Sequence, residues 1–139
     1  MKKRILIVGG TGFIGFHLAK KCLKKKFLVT SLSFGKPKKE RYLKKVKYVQ
    51  CDISNKNNLK RNIKGNFDYV VNLGGYVNHN EKTKTYNSHY KGCKNLADFF
   101  RKKNIISFIQ IGSSVEYGPI KSPQSEIQNC SIKKLKSTY

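Results

Sequence analysis

Three glycines at three-residue intervals, Gly9, Gly12 and Gly15, follow the apolar run of residues 5–8 in the segment KRILIVGGTGFIG. Between a strand and a helix this spacing suits phosphate chemistry. The first glycine can adopt a backbone conformation closed to other residues. The second leaves no side chain between backbone and ligand, and the third lets helix and strand pack closely. Amides at the start of the helix, around Phe13, Ile14 and Gly15, then face outward, and a pyrophosphate is the usual anion to meet them. The same glycines would also serve a plain tight turn; the strand before them and the helical spacing after them favour a dinucleotide. Later in the chain, Gly112-Ser113-Ser114-Val115-Glu116-Tyr117-Gly118 sets hydroxyls after a second apolar run, residues 105–111. A hydroxyl at a strand's carboxyl end can bond a substrate oxygen as charge changes on the carbon beside it. On its own, a serine pair before a turn is only a turn. His17 sits in a helical stretch with no acid or second ligand beside it and reads as structural, and no metal site is expected.

These groups need a scaffold, and the periodicity supplies one. Residues 13–25 have helical spacing, with Ile14, Leu18, Cys22 and Leu23 on one face and Lys20, Lys21, Lys24 and Lys25 over much of the rest. Further strands are expected at 27–32, 46–51, 69–73 and 105–111. A short helix should begin near Asn55 and carry Leu59 and Ile63, and residues 76–86, with His79, read as a polar loop. Residues 84–103 read as a helix with a stripe of Tyr90, Cys93, Leu96, Ala97 and Phe100; Gly92 inside it costs stability relative to alanine, which points to close packing against a neighbour. Strands alternating with helical crossovers give an α/β fold, an open parallel sheet with helices on both faces. At 139 residues there is room for one domain.

The chain carries 30 Lys and Arg against 7 Asp and Glu, a formal charge of +23. Composition bias with solvated lysines explains this, and so does affinity for polyanions; the cations are spread along the whole chain without a recognised nucleic-acid module, so no specific nucleic-acid partner is expected. Cys22, Cys51, Cys93 and Cys130 are far apart and read as reduced, mostly buried thiols of a cytoplasmic protein. The apolar start is too short for an export signal, and no run is long enough for a membrane span.

The glycine spacing resembles the cofactor motif of the extended short-chain dehydrogenase/reductase family, the nucleotide-sugar epimerases, dehydratases and reductases. Tyr117-Gly118 after the serines, with Pro123 and Glu126 beyond, resembles further segments of that family. The resemblance implies a Rossmann-type, doubly wound parallel sheet of which about five strands are present. Residues 1–139 would then form an NAD(P)-binding domain cut at the catalytic tyrosine, with the substrate domain absent. It places the cofactor on Gly9, Gly12, Phe13, Ile14 and Gly15, with Asp52 and Ile53 at the adenine ring; read without the resemblance, Asp52 could instead cap the helix beginning near Asn55. Leu73, Gly74 and Gly75 fall where small residues lie against the nicotinamide ribose and pyrophosphate. His89 takes the place of a family asparagine; a histidine also donates a hydrogen bond but titrates near neutrality, which leaves its role open. Ser33 stands where relatives have an acid for the ribose hydroxyls, and the basic loop with Lys36, Lys38, Lys39 and Arg41 follows. These cations either meet a 2′-phosphate or are merely solvated, and NADP is expected slightly ahead of NAD.

The family's catalytic hydroxyl matches Ser113, four residues before Tyr117. Tyr139, 22 residues after Tyr117, aligns with the catalytic tyrosine, whose lysine partner would fall at position 143. Some dehydratase relatives have an Asp-Glu pair after the catalytic threonine; here Ser114 and Val115 stand there, which favours a nucleotide-sugar epimerase or 4-keto reductase. The parent would be a homodimer, and the chain by itself inactive. The competing readings are a non-catalytic dinucleotide sensor of the same fold and, on charge alone, a nucleic-acid-binding protein.

Overall fold

A computed structural model of the chain describes residues 2–78, 80–117, 123 and 125–127. Five strands, β1 (Arg4–Val8), β2 (Leu28–Ser33), β3 (Val46–Gln50), β4 (Tyr69–Asn72) and β5 (Ser107–Gln110), form one sheet in the order β3-β2-β1-β4-β5. All pairs are parallel, with Ile5 opposite both Val29 and Tyr69. The chain leaves the central β1 outward to β2 and β3, then returns to add β4 and β5 on the other side. The strand order therefore reverses between β1 and β4, and in open α/β sheets ligands bind at the carboxyl ends beside such a reversal.

β1 reads RILIV because it is covered on both faces. Leu6 and Val8 enter one core with Leu32, Val70, Leu59, Ile63, Leu96 and Phe100. Ile5 and Ile7 enter the other with Ala19, Cys22, Val29, Val46 and Val71. Helix α1 (Phe13–Lys24) covers the second core, and α2 (Lys56–Asn62) and α4 (Gly92–Phe100) cover the first. Leu6 and Ile7 are almost wholly buried, and each such burial is worth about 1.5–3 kcal/mol. Two helical layers on a parallel sheet are the architecture the alternation predicts.

Three local expectations need correction. Ile14 is exposed and leaves the core face of α1, where Cys22 is buried as expected and Gly15 and Ala19 are buried beside it. Residues 82–86 are helical (α3, Lys82–Tyr86) rather than loop, and a π turn over Asn87–Lys91 joins them to α4. That wider turn rotates the α4 face: Tyr90 and Ala97 are exposed, while Gly92 and Asn95 are buried beside Leu96 and Phe100. Gly92 is close-packed as its position suggested, since a Cβ there would lie 2.6 Å from the Ile53 side chain.

α1 ends in a six-residue closure, with the Phe27 amide bonded to Cys22 O and the Lys26 amide to Leu23 O. That closure needs a left-handed residue, usually glycine; here Lys26 takes it, with φ of 63°. The two sheet edges differ. Lys44, Lys45 and Lys47 flank or lie on β3 and are exposed, whereas exposed Ile106 and Ile111 flank β5 and exposed Ile109 lies on it.

Candidate functional site

The glycine turn leaves β1 at Gly9, whose φ of +76° is the left-handed conformation that glycine tolerates. Its amide bonds Leu32 O at 2.8 Å, and the Gly12 amide returns to Gly9 O at 3.0 Å. A Cβ on Gly15 would lie 2.5 Å from Gly10 Cα, so helix and turn touch through that glycine. Gly12 caps α1 without a side-chain acceptor, and the first turn holds no acid. The opening amides and the positive end of the helix dipole therefore face solvent at the sheet's carboxyl end.

A cleft of about 740 Å³ lies there, within the usual range for small-ligand sites. The glycine turn with Phe13 and Ile14 forms one wall. Ser33 closes it at the last residue of β2, Asp52 and Ile53 after β3, and Leu73, Gly74 and Gly75 after β4. The structure thus brings these sequence-predicted cofactor residues together. Tyr76, Val77 and Phe34 add apolar surface that sequence reasoning did not single out, although an aromatic residue immediately after a strand is the signal for Phe34.

Hydrogen bonds hold the walls. Ser33 is buried, and its Oγ accepts from the Thr11 amide at 3.2 Å, tying β2 to the glycine turn with no charge at that point. Asp52 Oδ1 accepts from the Ser54 amide at 2.8 Å and the Ser54 hydroxyl at 2.7 Å. It is not the helix cap: Asn55 Oδ1 caps α2 by accepting from the amides of Asn57 and Asn58. Asn95, missed in the sequence because a polar residue was not expected on a core face, donates through Nδ2 to Ile53 O at 2.9 Å and Ser54 O at 3.0 Å. Asn72 does similar work under β4, donating to Gln110 Oε1 at 2.6 Å and accepting from the Gly74 amide at 3.0 Å. Beneath this wall, burial and then the Asp52 charge push the Cys51 thiol up to about 11. Cys22, Cys51 and Cys93 are free thiols, the first two buried; Cys130 lies outside the described residues.

The remaining predicted residues fall elsewhere. Lys36 lines a second cavity of about 780 Å³ that meets the first at Thr11 and Gly35. Arg61 and Lys64, which the sequence reading did not connect to it, line it too, as does Ser31, whose buried Oγ has no hydrogen-bond partner. Arg41 stands with its guanidinium carbon 5.9 Å from the Phe13 ring centre. His89 is turned toward the Tyr76 peptide, not into the cleft. Ser113 is half-buried, three residues past β5. His79 and Tyr139 lie outside the described residues. Among the described cleft-lining residues Asp52 is the one carboxylate. The cleft suits an elongated anion with flat apolar ends, and its free helix-start amides and close glycine approach fit a dinucleotide.

Solved structures share this fold. The Helicobacter pylori ADP-L-glycero-D-manno-heptose-6-epimerase aligns with a TM-score of 0.82 at 26% identity, over 94% of this chain and 45% of its own. The Bordetella bronchiseptica enzyme WbmG, solved in complex with NAD and UDP, gives 0.82 at 18% identity over 100% and 46%. A UDP-galactose 4-epimerase gives 0.81 at 22% identity over 95% and 46%. The chain spans under half the length of these proteins. No curated protein matches it in sequence. Residues 5–139, nearly the whole chain, match the family model described as NAD dependent epimerase/dehydratase family. By that match the chain belongs to the NAD dependent epimerase/dehydratase family.

Proposed function

We propose that residues 1–139 are the dinucleotide-binding domain of a nucleotide-sugar epimerase or 4-keto reductase. The observation that carries this reading is the glycine turn opening onto an uncapped, acid-free helix start at the strand-order reversal. The solved neighbours include a complex with NAD and UDP, and that pair of ligands matches the chemistry proposed. When bound, the nicotinamide supplies the acceptor and donor of hydride at a sugar carbon. Ser113, at the carboxyl end of β5, would donate a hydrogen bond to the oxygen on that carbon. Tyr139 would take or return that oxygen's proton. A free phenol has a pKa of about 10, too high for base work at neutrality, so Tyr139 needs a cation beside it. A lysine at position 143 would provide one.

NADP is the preferred dinucleotide in this reading. Ser33 brings no negative charge to the end of β2, so a 2′-phosphate meets no carboxylate there. Lys36, Arg61 and Lys64 line the adjoining cavity, and Arg41 stands over Phe13 at the cleft wall. Calorimetric titration with NADPH and NADH should give NADPH binding at least as tight. Ser33→Asp, which restores the anion near the ribose, should turn the preference toward NADH by about tenfold or more, the effect of roughly 1.4 kcal/mol. A tenfold NADH preference in the unmodified protein would refute the NADP assignment. Failure to bind either would refute the dinucleotide reading as a whole.

A further inference from the structure

The wall after β4 contains two consecutive glycines, Gly74 and Gly75, and the described residues 76–78 that follow are in neither helix nor strand. Glycines lose more conformational freedom on ordering than any other residue, so a ligand that needs this wall in one conformation needs something to fix it. The fixing group comes from the π turn. Ser88 Oγ accepts from the Tyr76 amide at 3.0 Å and donates to Thr85 O at 3.1 Å. His89 Nε2 lies 3.1 Å from both the amide and the carbonyl oxygen of Tyr76. Ser88 already accepts the Tyr76 N–H, so the tautomer that satisfies both peptide groups is Nε2–H donating to Tyr76 O.

The ring also fills space. A Cβ on Gly75 would fall inside the van der Waals envelope of the His89 ring, 2.9 Å from Nε2 and 3.0 Å from Nδ1. Gly75 is not among the left-handed glycines, so its φ does not call for glycine. The imidazole is what excludes a side chain at 75. A π turn inserted in a helix frequently marks a functional site, and this one presents Ser88 and His89 together to a single peptide of the cleft wall.

We propose that His89 is a positioning residue of the dinucleotide site, paired with Gly75: its ring takes the volume of a side chain at 75, and its Nε2–H locks the Tyr76 peptide, so that Gly74 and Gly75 present bare backbone to the ligand. This rests on the dinucleotide reading above. His89 acts through the wall and does not touch the ligand.

The test is calorimetric titration of NADPH or NADH, whichever binds more tightly, into the full chain and its variants, each shown by circular dichroism to be folded at the titration temperature. His89→Ala removes the Nε2–H bond to Tyr76 O, leaving that carbonyl without its partner, and should weaken binding about 5- to 30-fold. His89→Gln places an amide donor near the same carbonyl and should recover most of that loss. Gly75→Ala should weaken binding by about tenfold or more in the unmodified protein, yet change it less than twofold in the His89→Ala background, because the clash is gone. Binding by His89→Ala within twofold of the unmodified protein would overturn the proposal. So would a His89→Gln variant no better than His89→Ala, or Gly75 and His89 effects that simply add. If the unmodified chain binds neither dinucleotide, it is the dinucleotide reading that fails.

Discussion

Asn95 is the residue on which the cleft wall after β3 should depend most. Its amide nitrogen carries two hydrogens, and each goes to one carbonyl of the turn after β3, Ile53 O and Ser54 O. Asn95→Leu keeps the volume and removes both donors. Ile53 is buried, so its carbonyl would lose its partner without gaining water, at a cost of about 1–3 kcal/mol. Ser54 is half-buried and water can partly replace the bond, leaving a net loss of about 0.5–1 kcal/mol. The sum is a destabilisation of about 1.5–4 kcal/mol, or roughly 5–20 °C in Tm for a domain of this size. Asn62→Ala is the control: its amide also donates to a carbonyl, Asn58 O one turn back, but at a half-exposed site, and it should cost under about 1 kcal/mol. Urea unfolding followed by circular dichroism measures both variants. Because the turn lines the cleft, dinucleotide affinity should also fall in Asn95→Leu at temperatures where the fold is intact. An Asn95→Leu unfolding free energy within about 0.5 kcal/mol of the unmodified protein would show that the two bonds do not hold the wall.

Other expectations follow from local chemistry. Lys26→Gly should stabilise the chain by about 0.5–1 kcal/mol, read as a higher urea midpoint, because it relieves a left-handed lysine at the end of α1. Cys51 is held protonated in the folded state, so its contribution to stability is fully present below its ordinary pKa of 9.0 and is lost as pH rises toward about 11. Iodoacetamide at pH 8 should accordingly spare Cys51 until urea unfolds the chain, and rapid labelling of the folded protein there would contradict this. In a longer protein that contains these residues, Ser113→Ala should lower turnover by about 10²–10³-fold with little effect on dinucleotide binding. Tyr139→Phe should be at least as damaging and Ser114→Ala much less so; equal small effects of all three would remove the catalytic assignment.

Much of the fold was legible because its signals are local and redundant. The run at residues 5–8 is apolar on both faces, as a fully covered strand must be, that at 69–73 is apolar apart from Asn72, and the glycine spacing fixed where the first helix starts. What escaped was set by contacts across the chain. Ile14 has the spacing of a core residue, but the cleft opens beneath it, and only the tertiary placement of β1 against β4 creates that cleft. The π turn at Asn87–Lys91 shifts the face of α4, so a stripe drawn at regular helical spacing selected Ala97 and passed over Asn95. Asn95 and Asn72 pass for ordinary surface polars in the sequence, since their value lies in carbonyls and amides tens of residues away. Arg61 and Lys64 were indistinguishable from the other cations until the second cavity grouped them.

The unlike edges of the sheet give it a direction of growth. A strand approaching β3 must lay its backbone beside Lys44, Lys45 and Lys47, which carry no compensating acid in that segment and hold a newcomer off. A strand approaching β5 meets residues 105–114, a stretch without a single charged side chain, with Ile109 and Ile111 already half out of the core. Extension is therefore favoured beside β5, the strand whose end carries Ser113. A newcomer running parallel would deliver its carboxyl end to the same rim as the glycine turn. One running antiparallel would deliver its amino end there. In either orientation, whatever the sheet recruits adds its terminal residues to the rim of the cleft, while the lysine-guarded side stays a boundary.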